Sequence, residues 1–151
     1  AWNDTAPTSS VFTVGVGGTV NQTSSDLIAY CWAEVEGFSK FGSYTGNGSA
    51  DGPFVYTGFR PAFVMTKRTN STGDWRMQDT TRVPYNPFTG YLRASTNEAE
   101  LSGGDFDFLS NGFKIRNDGG EINASGGAFI YMAFAEHPFQ GADGVTQARA
   151  R

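Results

Sequence analysis

Residues 38–68 constrain the fold more than any other part of this 151-residue sequence. In residues 38–44 aromatic and polar side chains alternate with some slippage, as they do in a half-buried β-strand. Residues 45–52 are almost all small or turn-forming, and the glycines among them permit a positive φ. Residues 54–57 and 62–66 resume the strand pattern, and the second of these runs is apolar enough to enter a core. The stretch therefore predicts three strands joined by tight turns.

The composition extends this prediction to the whole chain. Twenty glycines and an aromatic content of 15%, with few helix-favouring runs, are typical of an all-β chain with many turns. Further apolar runs predict strands at residues 11–14, 27–33, 113–115 and 128–135, with Ile28 and Ile130 buried. An Asn-Gly pair at 111–112 predicts a hairpin turn. The sequence thus predicts an all-β fold, an antiparallel jelly-roll-like β-sandwich of roughly ten strands.

Two parts of the sequence resemble each other. Ile28, Ala33 and Glu34 recur as Ile130, Ala135 and Glu136, with a constant offset of 136 − 34 = 102 residues. In each copy an aromatic-led strand and a polar turn precede the apolar run. Two copies at this spacing are too few for a solenoid, so the repeat predicts two pseudo-symmetric halves of one sheet system.

The length is that of one domain, which we place at residues 1–139. Residues 140–151 are small and polar and predict a loosely held C-terminal tail. Within the domain, the prolines of residues 80–90 favour an ordered surface loop, and residues 97–101 predict one helical turn. Because the chain begins without a methionine, we expect it to be a piece or a processed form of a longer polypeptide.

Charge and cysteine content limit the partners. A formal charge of −4 and a pI near 4.8 argue against nucleic acid, which requires clustered Lys and Arg. The longest apolar stretch is too short to insert across a membrane. The single cysteine, Cys31, cannot form an intrachain disulfide, and its apolar surroundings predict a buried free thiol.

Candidate catalytic residues are few, and we predict that the chain is not an enzyme. Glu34 and Glu36 lie on one face of a strand by their spacing, and a carboxylate pair in a cleft could cleave a glycosidic bond. These strand-end glutamates, like Glu136, are equally compatible with solvated strand termini or with ion pairs to Lys40 or Arg60. The single histidine, His137, precedes a proline at a strand end and predicts a loop histidine. One His and one Cys cannot form a zinc site.

Binding without cleavage requires less, namely an exposed aromatic ring with polar groups beside it. Trp75 beside Asp74 and Tyr85 beside Asn86 fit this description, and Asn47 and Asp51 lie at a loop tip. These six residues are the predicted carbohydrate-binding site, although Trp75 on an alternating strand also fits a core or subunit contact. We predict no cofactor; calcium, which binds oxygen ligands, is kept as an alternative. Two sets of residues could supply the oxygen ligands of a calcium ion: Asp51 with Asn47, and Asp118 with Asn117 and Glu121.

Three stretches of sequence resemble a known family. They are SKFGSYTGNGSADGPFVYTGFRPAFVM at 39–65, DFLSNGFK at 107–114 and YMAFAE at 131–136. Together they resemble the C-terminal domain of virion proteins of tailed phages, especially marine phages and prophages, which is usually described as tail-fibre-like or concanavalin-like. The resemblance covers nearly the whole chain.

The resemblance implies a concanavalin-like β-sandwich on the virion surface, in a tail fibre, a tail spike or a capsid-attached fibre. Its expected partners are other virion proteins and a glycan of the host surface. It further implies a homo-oligomer, with a trimer favoured, which folds in the host bacterial cytoplasm and acts outside the cell. A purely structural capsid or tail decoration protein is the alternative, and a glycan hydrolase is a weaker one.

Overall fold

The computed structural model describes residues 4–138, and the chain divides after Trp32 into two units. In residues 4–32 the backbone forms turns and bends but neither helix nor strand. The predicted strands at 11–14 and 27–33 are therefore wrong, and the predicted burial of Ile28 is wrong as well, since it is 81% exposed. An apolar run becomes a buried strand only where a neighbouring strand completes its ladder, and no such pairing forms here.

Residues 33–138 form an antiparallel sheet of eight strands with one short helix, so the all-β prediction is confirmed. In chain order the elements are β1 (Ser39–Thr45), β2 (Phe54–Tyr56), β3 (Pro61–Arg68), β4 (Arg76–Asp79), β5 (Phe88–Arg93), β6 (Leu101–Leu109), β7 (Gly112–Ile115), α1 (Gly120–Asn123) and β8 (Ala128–Ala135). In space the strands lie in the order β1-β8-β3-β4-β5-β6-β7-β2. The strands predicted at 62–66, 113–115 and 128–135 are confirmed, as is the hairpin that joins β6 to β7.

Strand β5 connects the two halves of the sheet. Its C-terminal residues pair with β4, with Leu92 opposite Met77, and its N-terminal residues pair with β6, with Phe88 opposite Phe106. The register with β6 shifts between Phe88 and Gly90, as it does at a β-bulge. The sheet curves so far that it is nearly closed into a barrel. At the seam, the ring of Tyr44 on β1 packs edge-on against Phe113 on β7, with ring centroids 6.3 Å apart.

Aromatic side chains fill the core. The largest fully buried apolar side chains are Phe88, Phe106, Phe108, Phe113, Phe129, Ile115 and Ile122. Strand β8 alternates, because Phe129 and Tyr131 face the core while Ile130 is 40% exposed. The predicted burial of Ile130 is therefore wrong, since successive side chains of a strand point to opposite faces and the two aromatic residues occupy the core face.

Other sequence predictions also change. Residues 94–100 contain no helix; the described helix is α1, so the predicted turn at 97–101 is wrong. A single helical turn is too costly to nucleate without tertiary support, and here Leu101 begins β6 instead. The loop predicted at 80–90 ends early, because Phe88 is buried and begins β5. Cys31 is exposed, so its predicted burial is wrong. The reason is that residues 27–33 do not form the buried strand in which it was expected to lie. The tail predicted at 140–151 lies outside the described residues, and the domain boundary at 139 stays a prediction.

The repeat is not a structural one. Its second copy forms α1 and β8, whereas its first copy lies in residues 4–34, where the backbone forms no strand. Equivalent apolar residues therefore adopt different backbone conformations in the two copies. The difference follows from β8 having two hydrogen-bonded neighbours, β1 and β3.

Candidate functional site

The loop between β1 and β2 is closed onto α1 by two asparagines. The Asn47 side chain accepts from the Ser49 N–H at 3.0 Å and donates to the Asp51 carbonyl at 2.9 Å. The buried Asn123 amide donates to Asn47 Oδ1 at 3.0 Å and accepts from the Asn47 backbone N–H at 2.8 Å. The polar groups of Asn47 are therefore used within the loop, and the residue contributes shape rather than a free ligand contact.

Asp51 lies at the tip of the same loop and is open to solvent, with its side chain 84% exposed. Its carboxylate pairs with Lys114 on β7, at 2.8 Å between Nζ and Oδ1. The hydrogen bond and the charge of Lys114 lower the pKa of Asp51, so this carboxylate remains ionised. A ligand at this tip would meet an ion pair rather than a lone negative charge.

Asp74 and Trp75 are attached to the turn that follows β5. Asp74 accepts from the Ser95 hydroxyl at 2.8 Å and pairs with Arg93 Nε at 3.3 Å. The Trp75 backbone is held by the Ser95 hydroxyl and by the Ala94 N–H, and its side chain is half-buried. A half-buried ring fits the contact alternative better than an open sugar platform.

The side chain of Asn86 forms with the backbone of β6 the two hydrogen bonds that a neighbouring strand residue would form. Its side-chain amide donates to the Phe108 carbonyl at 3.0 Å and accepts from the Phe108 N–H at 2.9 Å, which reproduces a ladder pair. The neighbouring Tyr85 is 78% exposed. Of the six predicted site residues, Asn47, Asp51, Tyr85 and Asn86 are exposed, whereas Asp74 and Trp75 are half-buried. Within residues 4–138, no hydrogen bond or ion pair joins the pairs Asn47–Asp51, Asp74–Trp75 and Tyr85–Asn86 to one another.

A recess forms where the end of β8 meets the corner between β2 and β3. Its volume is about 220 Å³, and it is lined by Gly37, Gly58, Phe59, Arg60, Ser110, Glu136 and His137. These residues come together because β3 and β8 are antiparallel neighbours, with Pro61 opposite Ala135. Sequence reasoning considered Glu136 and His137 singly but missed the recess. Two features of the sequence could have predicted the recess. One is the polar Glu136-His137 pair at the end of the apolar strand β8, and the other is Gly58 in the turn between β2 and β3.

Two of the three candidate catalytic glutamates, Glu34 and Glu136, are in ion pairs. Lys40 Nζ lies 2.6 Å from Glu34 Oε1, and Arg60 Nε lies 2.8 Å from Glu136 Oε2, so this alternative is confirmed. The hydrogen bond from Lys40 lowers the pKa of Glu34, the opposite of what a general acid requires. Among the lining residues of the recess, Glu136 is the single carboxylate.

A second polar cluster, missed by sequence reasoning, is buried under β4 and β5. Arg76 is 5% exposed, forms an ion pair with the fully buried Asp105, and stacks its guanidinium 3.6 Å from the centre of the Tyr91 ring. Arg93 continues the cluster to Glu121, at 2.9 Å. Burial raises the pKa of Asp105 to about 6, with the charge of Arg76 opposing part of that shift. Such a cluster orders the sheet. Arg76 and Asp105 are too deeply buried to contact a large ligand, whereas the side chain of Glu121 is 37% exposed.

Neither a metal-binding cluster nor a membrane-spanning helix occurs within residues 4–138. Within residues 4–138, no group of three or more His, Cys, Asp or Glu side chains could hold a metal ion. The two candidate calcium sets are partly occupied by cations, since Asp51 pairs with Lys114 and Glu121 with Arg93. No helix in the described part of the chain is long and apolar enough to cross a membrane.

Comparisons with known proteins give one positive result. A search of curated proteins finds no match, and a search of solved structures finds none either. The matching family model is described as a domain of unknown function, DUF7483, and it covers residues 1–138. Because the match spans nearly the whole sequence, the chain belongs to the DUF7483 family.

Proposed function

We propose that this chain is a non-enzymatic assembly module on the surface of a tailed-phage virion, in a fibre, spike or capsid-attached fibre. The observation that carries the assembly role is the exposure of large apolar side chains in residues 4–32. Seven are exposed there: Val11, Phe12, Val16, Leu27, Ile28, Tyr30 and Trp32. Apolar surface on this scale typically marks a contact with another macromolecule.

The pattern within this segment indicates how the contact forms. Ile28, Tyr30 and Trp32 are spaced two residues apart, so an extended backbone would place all three on one side. The backbone of residues 25–32 belongs to no helix or strand, and a β-favouring run of this kind can pair with a strand of another chain. The partner in this proposal is a second copy of the chain, in a homo-oligomer for which we favour a trimer.

The experiment is light scattering with size-exclusion chromatography at micromolar concentration. We expect a trimer mass for the native sequence and a monomer mass for the double variant Tyr30→Ser/Trp32→Ser. The matched control is Tyr85→Ser, which removes an equally exposed aromatic ring outside the segment and should keep the oligomer. A native monomer, or an oligomer that the double variant leaves intact, would refute the assembly mode.

The virion location and the finer fold description rest on the resemblance of residues 39–65, 107–114 and 131–136. Because β5 pairs with β4 at one end and with β6 at the other, the sheet bends there, as strands at the corners of a sandwich do. This corner supports our proposal of a jelly-roll-like, concanavalin-like sandwich. The location is tested by mass spectrometry of purified particles, and finding the chain only in unassembled lysate protein would contradict it. In this proposal the chain folds in the bacterial cytoplasm before it reaches the particle.

A second candidate function, weak binding of a host-surface glycan, is favoured by the recess. Phe59 supplies an apolar face, and Arg60, Ser110 and His137 supply polar groups around about 220 Å³. This is less than the roughly 300 Å³ of the smallest typical ligand pockets, so we expect it to hold only a small part of a glycan. Single weak sites of this kind gain strength when several copies act together. A glycan array should show binding that Arg60→Ala and His137→Ala abolish and that Trp75→Ala leaves intact. Loss with Trp75→Ala alone would move the site to the Asp74–Trp75 pair.

The same polysaccharides distinguish binding from hydrolysis. We expect no release of reducing sugar, because Glu34 and Glu136 are held in ion pairs. Sugar release that Glu136→Gln abolishes would overturn the non-enzymatic proposal. If neither the array nor the reducing-sugar assay gives a signal while the fold is intact, the purely structural decoration role is favoured.

A further inference from the structure

The sheet is apolar on both of its faces. Where one face of an antiparallel sheet packs on the core, the other face commonly carries polar side chains. Here the register places Phe41, Met132, Met65 and Met77 side by side across β1, β8, β3 and β4. They lie on the face opposite the core residue Val64, and all four are half-buried. This row is therefore more apolar than a solvated sheet surface.

Aromatic rings extend the row. Phe134 on β8 lies opposite Phe63 on β3, with ring centroids 6.1 Å apart. The rings of Phe38 and Phe41 meet Phe134 edge-on, with centroids 5.8 and 6.1 Å from it. This surface, the outer face, consists of six side chains: Phe41, Phe63, Met65, Met77, Met132 and Phe134. An apolar sheet face of this extent requires a second layer to pack against it.

A cation lies at one end of the outer face. Lys67 follows Met65 by two residues on β3 and lies opposite Ile130, which is 40% exposed. The Lys67 ammonium donates to the Arg68 carbonyl at 2.8 Å. Among the residues that the structure describes, no carboxylate forms an ion pair with Lys67. Its positive charge is therefore available to an acidic partner.

Residues 26–32 have a pattern that matches this surface. An extended backbone would place four of their side chains on one side: Asp26, Ile28, Tyr30 and Trp32. One charge thus precedes a series of large apolar side chains, and residues 4–32 include no Lys or Arg. Strand β3 presents the same order at the same two-residue spacing, with Lys67 followed by Met65 and Phe63. Opposite charges at matching ends would give the contact one orientation.

We propose that residues 26–32 of one copy of the chain pack across the outer face of a second copy, with Asp26 beside Lys67. The inference rests on the proposed assembly through residues 4–32, and it adds the surface that receives their side chains. Segment and face are different surfaces, so the contact is heterologous, and three such contacts can close a ring. An outer face packed on the same face of another copy would give a two-fold dimer instead. The favoured trimer thus uses two distinct surfaces, both of which this chain has.

Charge reversal at the two ends tests the contact by light scattering. Asp26→Lys and Lys67→Asp each bring like charges together, and we expect each to raise the dissociation constant of the oligomer about fivefold. The double variant Asp26→Lys/Lys67→Asp should restore the native affinity, because it exchanges the two charges. The matched control is Asp26→Lys/Lys114→Asp, since Lys114 lies on β7 and pairs with Asp51. This control should restore nothing.

A cross-link identifies which copy supplies the segment. In a Cys31→Ser background, Asp26→Cys combined with Lys67→Cys should join chains through a short bismaleimide and give dimer and trimer bands on a denaturing gel. Asp26→Cys combined with Tyr85→Cys is the control, because Tyr85 is exposed outside the outer face, and it should run as a monomer.

The outcomes separate this inference from the assembly proposal. Links between chains, with affinity restored by the double charge variant, support the outer face as the receiving surface. A native monomer refutes both proposals. An oligomer that Tyr30→Ser/Trp32→Ser dissociates but Lys67→Asp leaves unchanged refutes the outer face alone. A link formed within one chain, or a double charge variant as weak as the single variants, also overturns it.

Discussion

The buried carboxylate of Asp105 should make the protein less stable as the pH rises from about 4 to about 6. Burial raises the pKa of Asp105 from 3.8 to about 6, which means that the folded protein holds the proton more tightly than the unfolded chain. Protonation therefore stabilises the fold fully below pH 4, and this stabilisation is lost as the pH rises through 6. The side chain is fully buried, so solvent does not screen the effect.

The size of the effect follows from the shift. Each pKa unit corresponds to about 1.4 kcal/mol, so a rise of roughly two units contributes about 3 kcal/mol to the free energy of unfolding. Urea denaturation followed by tryptophan fluorescence, repeated from pH 3 to pH 7, measures it. We expect the difference between the native protein and Asp105→Asn to fall by about 3 kcal/mol over this range.

The comparison with Asp105→Asn removes the contributions of the other carboxylates, which titrate in both proteins. Asp118→Asn, at an exposed position, is the control and should leave the pH profile of the native protein unchanged. A difference that is flat, or that grows with pH, would refute the reasoning. It would mean that the attraction to Arg76 outweighs the cost of burying the charge.

Three further changes are measured by the same urea denaturation. Asn123→Ala should cost about 3 kcal/mol, because Asn123 is fully buried and its amide accepts one hydrogen bond and has two protons to share among three acceptors, each bond being worth about 1 kcal/mol; a loss below about 1 kcal/mol would contradict this. Gly52→Ala should cost about 1–3 kcal/mol, since an added Cβ would lie 2.8 Å from the Ile115 carbonyl oxygen, whereas Gly73→Ala, with its nearest contact at 3.7 Å, should be nearly neutral. Phe106→Ala should cost about 3–5 kcal/mol because its side chain is fully buried in the aromatic core, and an unchanged midpoint would place it outside the core.

The β6–β7 hairpin shows how far local sequence can predict the fold. Its Asn-Gly signal and the alternation of residues 113–115 are local, and the structure confirms both. Residues 27–33 have an equally apolar pattern, but whether such a run becomes a buried strand depends on a neighbour that local sequence does not specify. Ile130 shows the same limit at the level of one residue, since its face is decided by the register of β8 against β1 and β3.

The candidate site was harder to predict than the strands. The ion pairs of the strand-end glutamates could be predicted from opposite charges close together in the fold. This prediction is confirmed for Glu34 and Glu136. Asn47 and Asn86 looked like ligand-binding groups because they are polar and lie in loops, yet both hydrogen-bond to the protein itself. The recess and the buried cluster of Arg76 and Asp105 join residues more than twenty positions apart, and only the fold brings them together.

The way β5 joins the two halves of the sheet also determines how the protein would respond to mechanical load. The ladder between β4 and β5 has two residue pairs, Arg76–Arg93 and Met77–Leu92, the fewest of any strand pair described. A pulling force that separates strands β1, β8, β3 and β4 from strands β5, β6, β7 and β2 would therefore act mainly on these two residue pairs. Glu121 braces them from outside the ladder, because its carboxylate contacts both Arg76 and Arg93. We therefore expect the sheet to separate first between β4 and β5 under tension, and Glu121→Gln to lower the force at which it separates.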